Sequence, residues 1–333
     1  MNSRPPTLDE VARRAGVSTG TVSRVINNAQ HVSKKARQAV ERAIEEVGYI
    51  PNVSARSLAT QRRGAVVLAI SSDDPALFAN LFFAEVITGV NAVIEETDLE
   101  LLLFLAASER GRERLARILR SRGADGVMLL ALRENDPLSK LADASGLPVV
   151  HGGRSLDRTP EWYVDADNRG GAHQAVEYLI STGRRRIGTV TGPLDIHAGV
   201  ARYLGFREAL ALAGLSDARV VNGDFSEASG AEGMARLLDE HPDLDAVFVA
   251  SDAMAAGALT VLRERGRDVP GDVAVVGFND IVTARQTQPA LTTIRQPIEA
   301  LGQEMTRVLL RLIDGERPTP LILPTELVIR DSA

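Results

Sequence analysis

Residues 7–26 read Thr-Leu-Asp-Glu-Val-Ala-Arg-Arg-Ala-Gly-Val-Ser-Thr-Gly-Thr-Val-Ser-Arg-Val-Ile, and this stretch constrains the chain more than any other. The spacing predicts a short helix opened by a capping box, with Thr7 accepting from the amide of Glu10 and the Glu10 carboxylate reaching back. Leu8, Val11 and Ala12 make its apolar face, Gly16 supplies a tight turn, and Val17 plugs the corner. Ser18 then caps a second helix whose inner face is Val22, Val25 and Ile26. Two short helices joined by a glycine-containing turn, the second polar on its outer face, form a helix-turn-helix. The second helix of such a unit lies in the DNA major groove and offers its N-terminal residues to base edges.

A third helix is expected from about Lys34 to Val47, capped by Ser33 and ended by Gly48. Its inner face is Ala36, Ala39, Val40, Ala43, Ile44 and Val47. Gly-Tyr-Ile-Pro-Asn-Val-Ser-Ala-Arg-Ser-Leu-Ala follows at residues 48–59. With Leu-Asp-Glu-Val-Ala, Gly-Val-Ser and Thr-Val-Ser-Arg-Val-Ile-Asn before it, this segment resembles the lactose-repressor (LacI) family of bacterial transcription regulators. The likeness continues through Val-Asp-Ala-Asp-Asn, Arg-Tyr-Leu-Gly-Phe-Arg-Glu-Ala-Leu, Val-Ala-Ser-Asp, Val-Val-Gly-Phe-Asn-Asp and Leu-Thr-Thr-Ile-Arg-Gln-Pro, and so covers the whole chain in register.

Charge divides the chain in two. Residues 1–63 hold 11 Lys and Arg against 5 Asp and Glu, while the remaining 270 hold 27 against 39. A basic head on an acidic body suits phosphate contact by the head. There is no cysteine, which rules out a disulfide or a Cys-based metal site. The N-terminus lacks the apolar core of an export signal, and apolar runs such as Leu101–Ala107 are too short to span a bilayer. The expectation is a cytoplasmic protein without membrane contact.

From Gly64 onward, strand-like and helix-like segments alternate. Strands are expected at Ala65–Ile70, Leu99–Leu105, Gly126–Ala131, Pro148–His151, Ile187–Thr191, Val220–Val221, Ala246–Ala250, Val273–Gly277 and Leu327–Ile329. Helices are expected at Leu81–Ile94, Arg112–Arg120 and Leu138–Ala144. Apolar strands alternating with amphipathic helices indicate parallel sheets covered on both faces. The fold class is therefore α/β, an all-α helix-turn-helix domain followed by two doubly wound lobes. The family resemblance implies a periplasmic-binding-protein-like core crossed three times by the chain, near residues 165, 294 and 323. The domains so placed are 1–63, with a hinge helix at about 52–58, and 64–333 for effector binding and dimerisation. The N-lobe is then 64–165 with 295–323, and the C-lobe 166–294 with 324–333. An apolar face at Leu81–Val93 is the expected dimer contact, since no leucine heptad follows the last strand.

In open α/β sheets, ligands bind beyond the carboxyl ends of the strands. The residues there are Ser71–Asp74, Gly152–Arg154, Thr191, Phe225, Ser251–Asp252 and Phe278–Asp280. This mix of hydroxyl, amide, carboxylate, guanidinium and aromatic groups suits a neutral polyhydroxylated ligand. The resemblance adds specific positions. Arg202, Phe225 and Asn279 match effector contacts, with Gln296 and Arg154 in support; Asp74, Phe82, Ser251 and Asp252 complete the effector set. Asn279 stands where many members carry aspartate, and Ser251 where lactose-responsive members carry Asn, so their ligand does not transfer.

On the DNA side, the resemblance makes Thr19, Gly20 and Arg24 base readers, although Gly20 offers no side chain. Thr7, Ser18, Ser23 and Asn27 join them from the helix-turn-helix. Asn52, Ala55, Arg56 and Leu58 come from the hinge helix, Leu58 as the apolar wedge in the minor groove.

No catalytic or metal site is expected. His31, His151, His173, His197 and His241 are scattered with no i,i+4 pair, and neither a Gly-x-Gly-x-x-Gly after a strand nor a Gly-x-Ser-x-Gly occurs. No cofactor is called for. Three function classes stay open. The first is a repressor homodimer released from operator DNA by a mono- or oligosaccharide, with a β-glucoside such as cellobiose suggested by likeness to regulators of plant-polysaccharide use. The second needs a co-repressor, a purine-like metabolite or a phosphoprotein. The third is a sugar-binding protein without a DNA role.

Overall fold

A computed structural model describes residues 6–26, 32–49, 62–71, 81–106 and 108–333. Contacts divide the chain into two units, with the boundary between Gly64 and Ala65.

The first unit contains three helices, α1 (Leu8–Ala15), α2 (Thr19–Ile26) and α3 (Lys34–Val47). Their ends follow from local chemistry. The Thr7 amide donates to Glu10 Oε2 at 2.8 Å while the Glu10 amide donates to Thr7 Oγ1 at 3.4 Å, closing the capping box. Gly16 takes a left-handed φ of 67° and ends α1. Ser18 Oγ accepts from the Thr21 amide at 3.2 Å, which caps α2. Val11, Ala12, Val22, Val25, Val40 and Ala43 form the shared core.

The second unit is built on two sheets. The first contains β1 (Ala65–Ile70), β2 (Glu100–Leu105), β3 (Gly126–Leu130), β4 (Val149–Gly152), β5 (Tyr163–Ala166) and β11 (Leu321–Leu323), in the order β11-β5-β4-β3-β1-β2, all parallel. The second contains β6 (Ile187–Thr191), β7 (Val220–Asn222), β8 (Ala246–Val249), β9 (Ala274–Asn279), β10 (Thr292–Arg295) and β12 (Glu326–Val328), in the order β12-β10-β9-β8-β6-β7. Only β12 in this sheet runs antiparallel to its neighbour. The chain thus leaves the first sheet after β5, returns after β10 and leaves again after β11.

Helices α4 (Leu81–Ile94), α5 (Glu109–Arg120), α6 (Pro137–Asp143) and α12 (Ile298–Ile313) cover the first sheet. The second is covered by α7 (Asn168–Ser181), α8 (His197–Leu212), α9 (Glu227–Glu240) and α10 (Asp252–Glu264), and α11 (Val282–Gln286) follows β9. Successive β1 residues go to opposite sides, with Val66, Leu68 and Ile70 in one core and Val67 and Ala69 in the other. That is why β1 reads as a continuous apolar run.

One sequence expectation needs correction. Strand β2 is an edge strand, with Leu103 and Leu105 39% and 43% exposed, so it is not covered on both faces. On α4, whose apolar face is the expected dimer contact, Leu81, Phe82, Phe83 and Ile87 stay half-buried. Val86, Gly89, Val90, Val93 and Ile94 are buried, and the helix lies against α12. The two helices approach so closely that a Cβ on Gly89 would overlap the Glu299 carbonyl, and one on Gly302 the Val86 carbonyl. Strands β5, β10 and β11 were not foreseen, because each has only three or four residues and β5 includes a buried aspartate.

Two predictions follow from this packing. Gly302→Val drives side-chain atoms into backbone that cannot step aside. It should cost about 1–3 kcal/mol or more, read as a lowered melting temperature by circular dichroism; an unchanged melt would show that the helices can separate freely. The second concerns His151, which is 3% exposed and whose pKa is lowered to about 4, first by burial and then by the charge of Arg158. The unfolded chain takes up this proton below about pH 6.5, whereas the folded chain resists until about 4. Stability is therefore intact above pH 6.5 and falls as pH drops toward 4, by at most about 3 kcal/mol for this group. His151→Gln should flatten that part of the stability–pH curve, and an identical curve would remove His151 as its source.

Candidate functional site

The first unit presents one polar helix face. On α2, Val22 and Val25 point into the core, while Thr19, Gly20 and Arg24 are exposed and Ser23 is half-buried. Ser18 is exposed at the helix start and Thr7 is half-buried at the start of α1. Both hydroxyls already serve as caps. Asn27, Asn52, Ala55, Arg56 and Leu58, and with them the expected hinge helix, lie outside the described residues, as does Asp74.

Within the second unit, a cavity of about 530 Å³ lies between the two sheets at the carboxyl ends of their strands. That volume falls within the range of ligand pockets, roughly 300–1,000 Å³. Phe82, Arg154, Arg202, Phe225, Ser251, Asn279 and Gln296 all border it. The structure therefore brings together residues from α4, the loop after β4, α8, and the segments after β7, β8, β9 and β10.

Arg202 is its organising group. The side chain is 4% exposed and has no carboxylate partner at hydrogen-bond distance. Nε donates to Asn168 Oδ1 at 2.8 Å and Nη1 to the Ala250 carbonyl at 2.6 Å. Nη2 donates to Gln296 Oε1 at 2.9 Å and Asn279 Oδ1 at 3.3 Å. The guanidinium also lies 3.7 Å from the ring centroid of Phe278 and 5.6 Å from that of Phe225. Burial, partly opposed by Asp165 and Asp252, lowers its pKa to about 9. It remains charged at neutral pH and directs its donors at neutral oxygens.

Phe225 holds its place with a left-handed φ of 73°, next to Gly192, where any Cβ would strike the ring. Asn279 and Asp280 also have positive φ, 120° and 60°. Strained backbone in non-glycine residues gathers at binding sites when the surroundings enforce it. Here the Asp280 carboxylate is clamped by Arg295 at 2.9 Å and Arg330 at 2.5 Å.

Arg154 is not a free cation. Its Nε donates to Asp165 Oδ2 at 2.8 Å. Asp165 was not singled out from sequence, nor were Asn168 and His197, which also border the cavity. Asp165 accepts from Asn168 at 3.1 Å and lies 3.6 Å from His197 Nδ1. Burial lowers the His197 pKa, against the pull of Asp165. The motif Val-Asp-Ala-Asp-Asn at 164–168 carries Asp165 and Asn168, but nothing in its spacing marks them as cavity residues.

Asp252 is a correction. It is fully buried off the cavity wall, with one oxygen accepting from Thr293 Oγ1 at 2.5 Å and the other from the Ile281 amide at 2.9 Å. Burial raises its pKa to about 7. It fastens α10 to the β9–β10 region and has no free face for an effector. Thr191 and Asp280 are likewise turned inward, and Ser251 combines its place on the wall with capping α10 through the Met254 amide at 3.2 Å.

Among the described residues, no helix is long and apolar enough to cross a membrane, and no three His, Cys, Asp or Glu gather as a metal site.

Comparison with known proteins gives the same organisation. Residues 7–52 match bacterial regulatory proteins of the lacI family, and residues 176–333 match the periplasmic binding protein-like domain. The HTH-type transcriptional regulator CelR of Thermobifida fusca is 47% identical over 335 residues, covering 99% of this chain and 98% of that protein. A solved complex of the transcriptional regulator CelR with cellobiose is 46% identical, with a TM-score of 0.79 over 98% of this chain and 100% of that one. The lac repressor dimer bound to operator and the anti-inducer ONPF is 29% identical, with a TM-score of 0.87 over 99% of each chain. With a helix-turn-helix on one unit, a ligand-sized cleft in the other and full-length similarity to such regulators, the chain belongs to the lacI family of bacterial regulatory proteins and is a transcriptional regulator.

Proposed function

We propose that this regulator is a homodimeric, cytoplasmic repressor which a neutral saccharide releases from a palindromic operator, with cellobiose as the first candidate. The observation that carries the reading is the buried Arg202 cluster facing a cavity of about 530 Å³. With their oxygens held by Arg202, Asn279 and Gln296 keep amide N–H donors that match hydroxyl groups, and Phe225 offers a flat apolar surface to a sugar ring. Arg154 already has Asp165, so the cleft does not ask for an anionic ligand on that side. The full-length similarity to CelR, solved with cellobiose, supports the same class over a purine-like or phosphoprotein co-repressor.

In this reading, residues 1–63 are the DNA-binding domain with its hinge helix at about 52–58, and 64–333 bind effector and dimerise. The N-lobe is 64–165 with 295–323, and the C-lobe is 166–294 with 324–333. Thr19, Gly20 and Arg24 read bases, Thr7, Ser18, Ser23 and Asn27 support them, and Asn52, Ala55, Arg56 and Leu58 act from the hinge. The effector contacts are Phe82, Arg154, Arg202, Phe225, Ser251, Asn279 and Gln296, with Asp74 beside them. Effector and operator then weaken each other reciprocally, with a coupling of about 1–3 kcal/mol.

The test is a gel shift on an operator selected from a random pool, with and without cellobiose. Wild type should bind DNA and release it on addition of the sugar, whereas sugar that tightens the complex would replace induction with co-repression. Arg202→Ala should keep near-native DNA affinity and lose the response, because Arg202 belongs to the second unit. A variant still released at the wild-type sugar concentration would reduce Arg202 to a structural residue. Arg24→Ala should cost about 1–3 kcal/mol on the selected operator if it reads a guanine bidentately. Equal loss on random DNA would make Arg24 a phosphate contact instead.

A further inference from the structure

Two loops meet across the mouth of the cleft. The loop after β3 belongs to the first lobe and the loop after β6 to the second. Arg133 Nη1 pairs with Asp195 Oδ2 at 2.6 Å, and the Glu134 amide donates to the Asp195 carbonyl at 2.7 Å. We propose that Arg133 and Asp195 form a latch that holds the lobes closed and controls entry to the cavity. Neither residue contributes to either core, and neither was singled out by sequence.

Its position gives it leverage. Strand β3 lies two strands from β5, where the chain crosses between lobes, and β6 lies three strands from β10. At about 4.8 Å per strand, the latch sits roughly 10 and 14 Å from the crossing strands. Two other ties have an end closer to a crossing: Asp165, in β5, with His197 at 3.6 Å, and Ile281, between β9 and β10, which inserts into the first-lobe core. Asp165 and Ile281 are each 4% exposed and His197 is half-buried, whereas the Arg133 and Asp195 side chains are 55% and 45% exposed. The inner ties therefore act as an axis, and the outer pair decides whether the mouth stays shut. Arg133 and Glu134 border the cavity on one side, and Pro193 and Ile196 on the other.

The first-lobe side is built to hold its shape. Asp136 caps α6 through the Leu138 amide at 2.9 Å and accepts from the Ser71 hydroxyl. Asn135 has a left-handed φ of 57°. Arg133 is thus presented from a braced loop, and little ordering is needed to engage Asp195. A half-exposed pair stabilises only modestly and is screened by salt. That suits a contact that must break each time a ligand enters.

The absence of cysteine allows a direct test. Glu113→Cys on α5 and Glu232→Cys on α9, both exposed, carry spin labels in the full chain, and pulsed electron resonance reads the distance between lobes without ligand. With the native Arg133 and Asp195, the short distance of the closed form should dominate. Arg133→Gln and Asp195→Asn should each lower the closed-to-open ratio about two- to fivefold, high salt should do the same, and Arg133→Asp combined with Asp195→Arg should restore it. Equal distributions in all variants, a native pair dominated by the long distance, or a swap that restores nothing would each overturn the latch. The functional consequence rests on the cleft being the effector site, and cellobiose should then leave Asp195→Asn faster than wild type. Protein that shows the distance changes but binds no cellobiose keeps the latch and loses the sugar reading.

Discussion

The removal of the Arg202 guanidinium from water sets the geometry of the second unit. A buried cation is costly unless its donors are met and its charge is compensated. Here compensation comes from the oxygens of Asn168, Ala250, Asn279 and Gln296 and from the faces of two phenylalanines. These groups come from the start of α7, the end of β8, the end of β9 and the segment after β10. One side chain therefore gathers four chain segments onto the cleft floor. Gln296 is the most telling, because it lies where the chain passes back to the first lobe. A ligand that competes for the Gln296 or Asn279 amide alters a contact that also fixes the crossing.

The crossings have their own restraint. Arg295 ends β10 and reaches both Asp280 at 2.9 Å and Glu326, the first residue of β12, at 3.1 Å. Arg330 holds Asp280 from beyond β12. Asp280 is in turn held in a left-handed conformation beside Asn279, so ion pairs on one side maintain a residue of the cavity wall on the other. Asp252 extends the same logic by fixing the Ile281 amide, and Ile281 inserts into the first-lobe core. A movement of the lobes that kept these contacts would open the cleft at its polar mouth, where Arg133 and Asp195 pair. A two-lobed body with a rigid axis and a weakly held mouth has the discrete alternatives that ligand-driven switching needs.

Much of this was legible in the chain because it is local. Caps at Thr7, Ser18 and Ser33 act over three residues, and strand and helix periods repeat over a few more. Such patterns placed α1 to α3, the alternating body and the strand ends where ligands gather. Arg202, Phe225 and Asn279 were named from a family likeness, and the fold brings them to one cavity. Asp252 shows where strand-end reasoning fails. A residue at the right end of a strand can turn toward the cavity or away from it, and packing against Thr293 turned this one away.

The sequence by itself determined the helix-turn-helix, the two-lobed α/β body and the kind of chemistry available at the strand ends, because each rests on residues close together in the chain. Tertiary structure alone decided which of those groups share a wall. Arg202 meets Asn168 across 34 positions and Gln296 across 94, and Arg133 meets Asp195 across 62. It also turned the apolar face of α4 inward onto α12. Periodicity reveals that a helix has a face to bury, but only the fold brings up the partner that covers it.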